Sequence, residues 1–134
     1  RPIMRGWDES MDTGDPDIDR QHREVIALVD ELGIAADKAD HESAYPVLVQ
    51  VIDFTITHFG HEESMMERLA YDPAAMREMI DQHDEFKAYA RLRALELRDG
   101  RIEDVPSLHS FLRSWLIEHE FGLDRKLVDW IRAG

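Results

Sequence analysis

The feature that most constrains this chain is a set of four amphipathic stretches, each interrupted by a histidine on its apolar stripe. Apolar residues recur at helical spacing in all four, and none alternates with the two-residue period of a strand. The first carries Ile18, Val25, Ile26, Val29 and Leu32 around His22, and ends at Gly33 and the polar run from Asp37 to Ser43. The second carries Leu48, Ile52, Phe59, Met65, Met66 and Leu69 around His58 and Glu62. Asp72 and Pro73 read as an N-cap and first helical residue for a third, with Met76, Met79, Ile80, Phe86 and Ala90 around His83, ending near Gly100. Asp104 and Pro106 restart the pattern for Leu108, Leu112, Leu116, Leu127 and Ile131 around His119. Short breaks between long helices favour antiparallel neighbours. The expectation is an all-α, up-down-up-down four-helix bundle over residues 18–132, in a single domain of residues 1–134. Residues 1–17, with Gly6, Trp7, Gly14 and Pro16, read as an extended arm across it.

A chain of 134 residues with 43% apolar content suits one such domain. Its net charge of -13, from 16 Lys and Arg against 29 Asp and Glu, disfavours nucleic acid and anionic membranes, which need a basic face. Cations are the partners that this charge favours. The absence of cysteine removes disulfides, thiolate metal sites and cysteine nucleophiles. No run resembles a signal peptide or approaches a membrane span, so a cytoplasmic location without membrane insertion is expected.

The chemistry lies in what breaks the apolar stripes. His58 and Glu62 are four residues apart and stack on one helix face. An ionised glutamate buried there without a partner costs several kcal/mol, roughly, and metal coordination removes that cost. One histidine on an apolar stripe is most often a satisfied core residue. Four on separate helices, with a glutamate beside one of them, are not explained that way. Asp124 lies five residues beyond His119, about 140° around an ideal helix, an unusual spacing for two ligands, although a carboxylate bridging two metals can reach from there. His41 in a polar loop, His61 off the seam and His109 near a helix start read as surface or end-of-helix residues. Met65, Met66, Met76 and Met79 read as core fillers.

Nitrogen and carboxylate donors without thiolate suit iron, manganese or zinc. Two carboxylates able to bridge favour a non-haem pair of irons. Ferritin-like centres use Glu-x-x-His, which this sequence lacks. A histidine-rich donor set carries less negative charge, which favours reversible binding of dioxygen over very high-valent iron.

At these residues a family resemblance emerges. Ile18-Asp19-Arg20-Gln21-His22 resembles the bacterial hemerythrin signature Ile-Asp-x-Gln-His. His58-Phe59-Gly60-His61-Glu62-Glu63 is similar to His-Phe-x-x-Glu-Glu, and His83-Asp84-Glu85-Phe86 to the second half of His-x-x-x-His-x-x-Phe. Trp115-Leu116 through His119 to Asp124 resembles Trp-Leu-x-x-His-x-x-x-x-Asp, so that the likeness runs from Trp7 to Leu127. It implies two irons bridged by Glu62, Asp124 and an oxo or hydroxo group. One iron would take His22 and His58 and leave a position open for dioxygen; the other would take His83, His119 and a third histidine.

Here that third histidine falls on Met79. A thioether is a poor ligand for ferric iron, so each iron keeps two histidines, with water, hydroxide or a small anion in the extra position. The family's aliphatic residue after the fourth-helix histidine is Glu120 here. It reads either as an additional ligand, direct or through water, or as a residue at the pocket edge or surface. The expected function is an oxygen or redox sensor domain with an easily autoxidised centre and a fused or associated signalling output. An oxidase- or peroxidase-like enzyme, an oxygen carrier and an iron store are the alternatives.

Overall fold

The computed structural model describes residues 9–38, 41–101 and 104–134. Four long helices occupy most of them, and there is no strand among the described residues: α1 (Pro16–Asp37), α2 (His41–Arg68), α3 (Pro73–Arg98) and α4 (Val105–His119). A π-helical turn, Glu120–Asp124, continues α4 directly into α5, Arg125–Ala133. Helix α1 packs on α2 and α4, and α2 on α3. Phe86 and Trp115, with ring centroids 4.6 Å apart, join α3 to the fourth rod. No helix among the described residues is long and apolar enough to cross a membrane.

The starts are set by aspartate caps with proline just behind them, where a missing N–H costs nothing. Asp15 accepts from the amides of Asp17 and Ile18, Asp72 from that of Ala75, and Asp104 from the amide and hydroxyl of Ser107. The second helix begins earlier than the sequence suggests, since His41 opens α2 rather than lying in the preceding loop.

Two helices end in the same way. After α3 the amide of Arg101 donates to Glu96 O and that of Gly100 to Leu97 O, a closure that needs left-handed backbone; Gly100 supplies it at φ +72°. After α2, Tyr71 donates to Met66 O and Ala70 to Glu67 O, but here alanine takes the left-handed position at φ +55°. The fold accepts that strain because Tyr71 is then buried in a cluster with Met66, Met79 and Leu127.

The core is divided. A large cluster, including Val29, Leu32, Leu48, Phe59, Phe86 and Leu112, fills one length of the bundle. The Met66–Tyr71–Met79–Leu127 cluster and a smaller one of Ile18, Met65 and Val128 fill the other. Along α1 and α3 the small clusters come first, and along α2 and the fourth rod the large cluster does. This reversal is the up-down-up-down order, and it leaves one layer between the clusters for residues 22, 58, 62, 83, 119 and 124.

Of the expected arm, Gly6 and Trp7 lie outside the described residues. The segment after them has a short 3-10 turn, Glu9–Met11, with Met11 buried. Asp19 holds it to α1, accepting from Thr13 N–H and Oγ1, each at 2.7 Å, and from Gly14 N–H at 3.1 Å. Arg125 donates to the carbonyls of Ser10 and Asp12. Burial pushes the Asp19 carboxyl up, but the Thr13 and Gly14 donors, with His22, outweigh it and hold it below its usual range.

Two stability changes follow. Ala70→Gly relieves the left-handed strain and raises stability by up to about 1 kcal/mol, read as an upward shift of the urea midpoint. Asp19→Ala removes the acceptor for three donors and costs about 1–3 kcal/mol at pH 7. Because the folded pKa of Asp19 is depressed, its contribution is present above about pH 4 and lost as pH falls through the folded value. The gap between Asp19→Ala and the wild type therefore narrows in acid.

Candidate metal centre

The six residues in the layer between the clusters are all buried, with His22, Glu62, His83 and Asp124 at 0% exposure and His58 and His119 at 4%. They form two groups capable of holding a cation: His22, His58, Glu62 and Asp124, and His83, His119, Glu62 and Asp124. Each group offers one donor atom per residue, all within 4.8 Å of one another.

The carboxylates belong to both groups because their two oxygens face opposite ways. Glu62 Oε2 lies 3.4 Å from His58 Nε2, while its Oε1 lies 3.2 Å from His83 Nε2. Asp124 Oδ2 lies 2.9 Å from His22 Nε2, and its Oδ1 3.0 Å from His119 Nε2. His83 Nε2 and His119 Nε2 stand 3.2 Å apart. Neighbouring donors around one cation, with bonds of about 2.1 Å, are spaced by roughly 3 Å.

Asp124 reaches this layer through the π turn. In an α-helix residue i+5 faces away from residue i, whereas π-type i→i+5 bonding brings the two onto one side. His119 immediately precedes the turn and Asp124 ends it, so the spacing that looked unfavourable becomes productive. The same turn upsets the i,i+4 register between Glu120 and Asp124. The Glu120 carboxylate, 4% exposed, lies outside both groups, with Oε1 3.8 Å from His22 Nδ1.

The imidazoles are held from behind. His58 Nδ1 donates to Gln21 Oε1 at 2.5 Å, His83 Nδ1 to Glu63 Oε2 at 2.8 Å, and His119 Nδ1 to Gln82 Oε1 at 2.8 Å. With the Nδ1 proton committed, any proton that titrates is the one on Nε2, which faces the layer. Aromatic rings fix the planes: Phe59 stacks on His83 with centroids 3.9 Å apart, and Trp115 on His119 at 4.9 Å. Sequence reasoning gave Gln21, Glu63 and Gln82 no role. Their signal was adjacency, since each is next in the chain to an inward-facing residue, and the dipeptide Gln-His occurs at both 21–22 and 82–83.

The inward atoms need a positive charge. His58 Nε2, both Glu62 oxygens and Asp124 Oδ1 are buried and make no hydrogen bond among the described residues, a costly state unless a cation joins them. Burial alone would push the His58 imidazole down, but Glu62 and Asp124 outweigh it and hold it up at about 10. His119 is raised by the same balance against Asp124. Burial and the mutual charge of Glu62 and Asp124 would raise the Glu62 carboxyl, yet His58 and His83 keep it low. His119, His22 and His58 likewise hold Asp124 well below its usual range against burial. Burial, then Asp124, pushes the Glu120 carboxyl up. The donor set and the unsatisfied atoms thus fit two cations bridged by two carboxylates.

The remaining expected positions are simply placed. Met79 is 1% exposed and packs with Met66, Tyr71 and Leu127. His61 is exposed, and the side chain of His41 lies outside the described residues. His109 corrects the sequence reading. It is buried at 4% on α4, because Val105, Leu108 and Leu112 turn that face inward from the first turn onward.

Metal binding should displace the Nε2 protons that the carboxylates retain. Adding Zn²⁺ to metal-free protein at pH 7 in weak buffer should release at least one proton, and apparent affinity should rise with pH through about 10, where His58 is half protonated, and level off above it. Uptake without proton release would contradict the electrostatics described above.

Known proteins resemble the chain in sequence and in fold. The model of the hemerythrin HHE cation binding domain matches residues 13–131. A bacteriohemerythrin of Stenotrophomonas maltophilia is 30% identical over 128 residues, covering 95% of this chain and 81% of the relative. A bacteriohemerythrin of Pseudomonas aeruginosa is 29% identical over 127 residues, covering 94% and 80%. A myohemerythrin of Riftia pachyptila is 24% identical over 120 residues, covering 90% and 88%. The crystal structure of a wild-type hemerythrin superposes with a TM-score of 0.83 at 22% identity, over 92% of this chain and 94% of that one, a likeness of fold. A cation-binding bundle matched along nearly all its length makes the chain a member of the hemerythrin family.

Proposed function

We propose that this chain is a di-iron, dioxygen-binding domain that works as an oxygen or redox sensor, with a labile centre coupled to a signalling output. Membership of the hemerythrin family supports the coarser part, a di-iron centre that binds dioxygen. The observation that carries the reading is the split of the two carboxylates, each presenting one oxygen to each histidine pair. In this assignment His22 and His58 would hold one iron and His83 and His119 the other, with Glu62 and Asp124 shared between them. Iron bound there would supply the redox chemistry and the binding of dioxygen.

Everything else is the work of the protein's own side chains. Gln21, Glu63 and Gln82 fix three imidazoles, while Phe59 and Trp115 shield two of them. Lability is assigned to the His83/His119 half. Where a third imidazole would stand, Met79 lies in an apolar cluster and brings no nitrogen. A surface cavity of about 370 Å³ is bordered by Gln82, Trp115, His119 and Gly122. With no third nitrogen in that half, water or a small anion would complete the coordination there.

The test begins with metal analysis, which should give two irons per chain. The iron is then reduced without oxygen, air is admitted and absorbance is followed. Prompt return to the spectrum of the oxidised protein, without turnover of an added reductant, is the expected result for a redox sensor. A lasting new band would indicate a carrier, and sustained turnover an oxidase. Met79→His should slow the return at least several-fold. Equal rates in the two proteins would remove Met79 as the cause of lability.

A further inference from the structure

Glu120 is the buried carboxylate that this assignment leaves without a task. It is 4% exposed, and a buried carboxylate is stable only with a partner or a counter-charge. Asp124, Glu62 and His58 of the centre act on it electrostatically. His22 Nδ1 lies 3.8 Å from its Oε1, and Arg113, buried at 4% on α4, acts on it electrostatically.

The side of His22 that Glu120 faces decides its role. His22 turns Nε2 toward the centre, 2.9 Å from Asp124 Oδ2, so that Nδ1 faces outward to Glu120. In each of the other three imidazoles Nε2 also faces the centre, and a side-chain oxygen from another helix lies 2.5–2.8 Å behind Nδ1. The π turn moves Asp124 off the face of Glu120, which is left on the outer side of His22. On an unbroken α-helix it would share the face of Asp124 and point at the metals.

We propose that Glu120 is a positioning residue for His22, its carboxylate accepting the Nδ1–H of that imidazole in the metal-loaded protein. This rests on the di-metal reading above. The present gap of 3.8 Å is about 1 Å longer than a hydrogen bond, a distance that a small turn of the glutamate side chain closes. Metal entry favours the turn, since a cation on Nε2 makes Nδ1–H a stronger donor and stabilises a nearby carboxylate. A charged acceptor makes imidazole a better ligand than a neutral amide does. His22 and His83, one in each half, are then backed by carboxylates, and His58 and His119 by amides.

Zinc, which is diamagnetic, supplies the probe. In zinc-loaded protein, nitrogen-15 NMR of the histidine rings should show His22 carrying its proton on Nδ1, strongly downfield. Glu120→Gln should move that proton upfield while those of His58, His83 and His119 stay in place. Glu120→Leu should weaken one of the two zinc sites by 10–100-fold, with Glu120→Gln recovering most of the loss. If Glu120 instead binds metal itself, Gln will be as damaging as Leu and the His22 proton will not track the substitution; that overturns the proposal. An unchanged His22 proton and unchanged affinity in both variants overturn it as well. Should Glu120→Leu fail to fold by circular dichroism, the NMR shift in Glu120→Gln decides. Two zinc ions bound, with His22 indifferent to Glu120, defeat this inference alone, whereas no stoichiometric metal defeats the di-metal reading beneath it.

Discussion

The attraction between two buried carboxylates and the ring nitrogens around them is the constraint on which the rest of the bundle depends. Glu62 and Asp124 sit at 0% exposure in the middle of the molecule, where an unpaired negative charge would be intolerable. The imidazoles offset that cost. Four helices bring imidazoles to the carboxylates, three of those imidazoles are pinned through Nδ1, and aromatic rings press on two of them. Apolar clusters above and below keep water out. A layer so arranged is preorganised for cations, because its donors already face one another and an arriving cation replaces only the Nε2 protons between them.

The pieces that support this layer lie at helix ends and in turns. Asp15, Asp72 and Asp104 fix where α1, α3 and the fourth rod begin, and so the turn on which His22, His83 and His119 fall. The strained turn at Ala70 delivers Tyr71 to the methionine cluster that closes one side. Asp19, three residues before His22, ties the N-terminal segment to α1.

Much of this was legible in the sequence, and the reasons differ by residue. His22, His58, Glu62, His83 and His119 stood out because α-helical periodicity is regular and polar groups on an apolar stripe violate it. Asp124 was harder. Its spacing from His119 is wrong for an α-helix, and only the π turn makes it right. Glu120 was read on the same ideal helix either as an additional ligand or as a pocket-edge or surface residue; it is buried, with Oε1 3.8 Å from the outer nitrogen of His22. His109 was set aside as an end-of-helix residue, yet α4 is buried from its first turn. Gln21 and Glu63 entered only as letters of the family motifs and Gln82 not at all, because a polar residue beside the apolar stripe looks like ordinary surface until its neighbour across the interface is known.

The π turn also changes what sequence length means in this part of the chain. Five residues in a widened turn do the angular work of four in an ordinary one, so helix form and residue count between His119 and Asp124 are tied together. A relative one residue shorter there would present the same two side chains from a plain α-helix. An alignment gap at that point would then record a change of backbone spiral, with the donor atoms left where they were. Counting along the fourth helix past residue 119 as though it were uniform assigns the following residues to the wrong faces, and position relative to the turn is the safer coordinate.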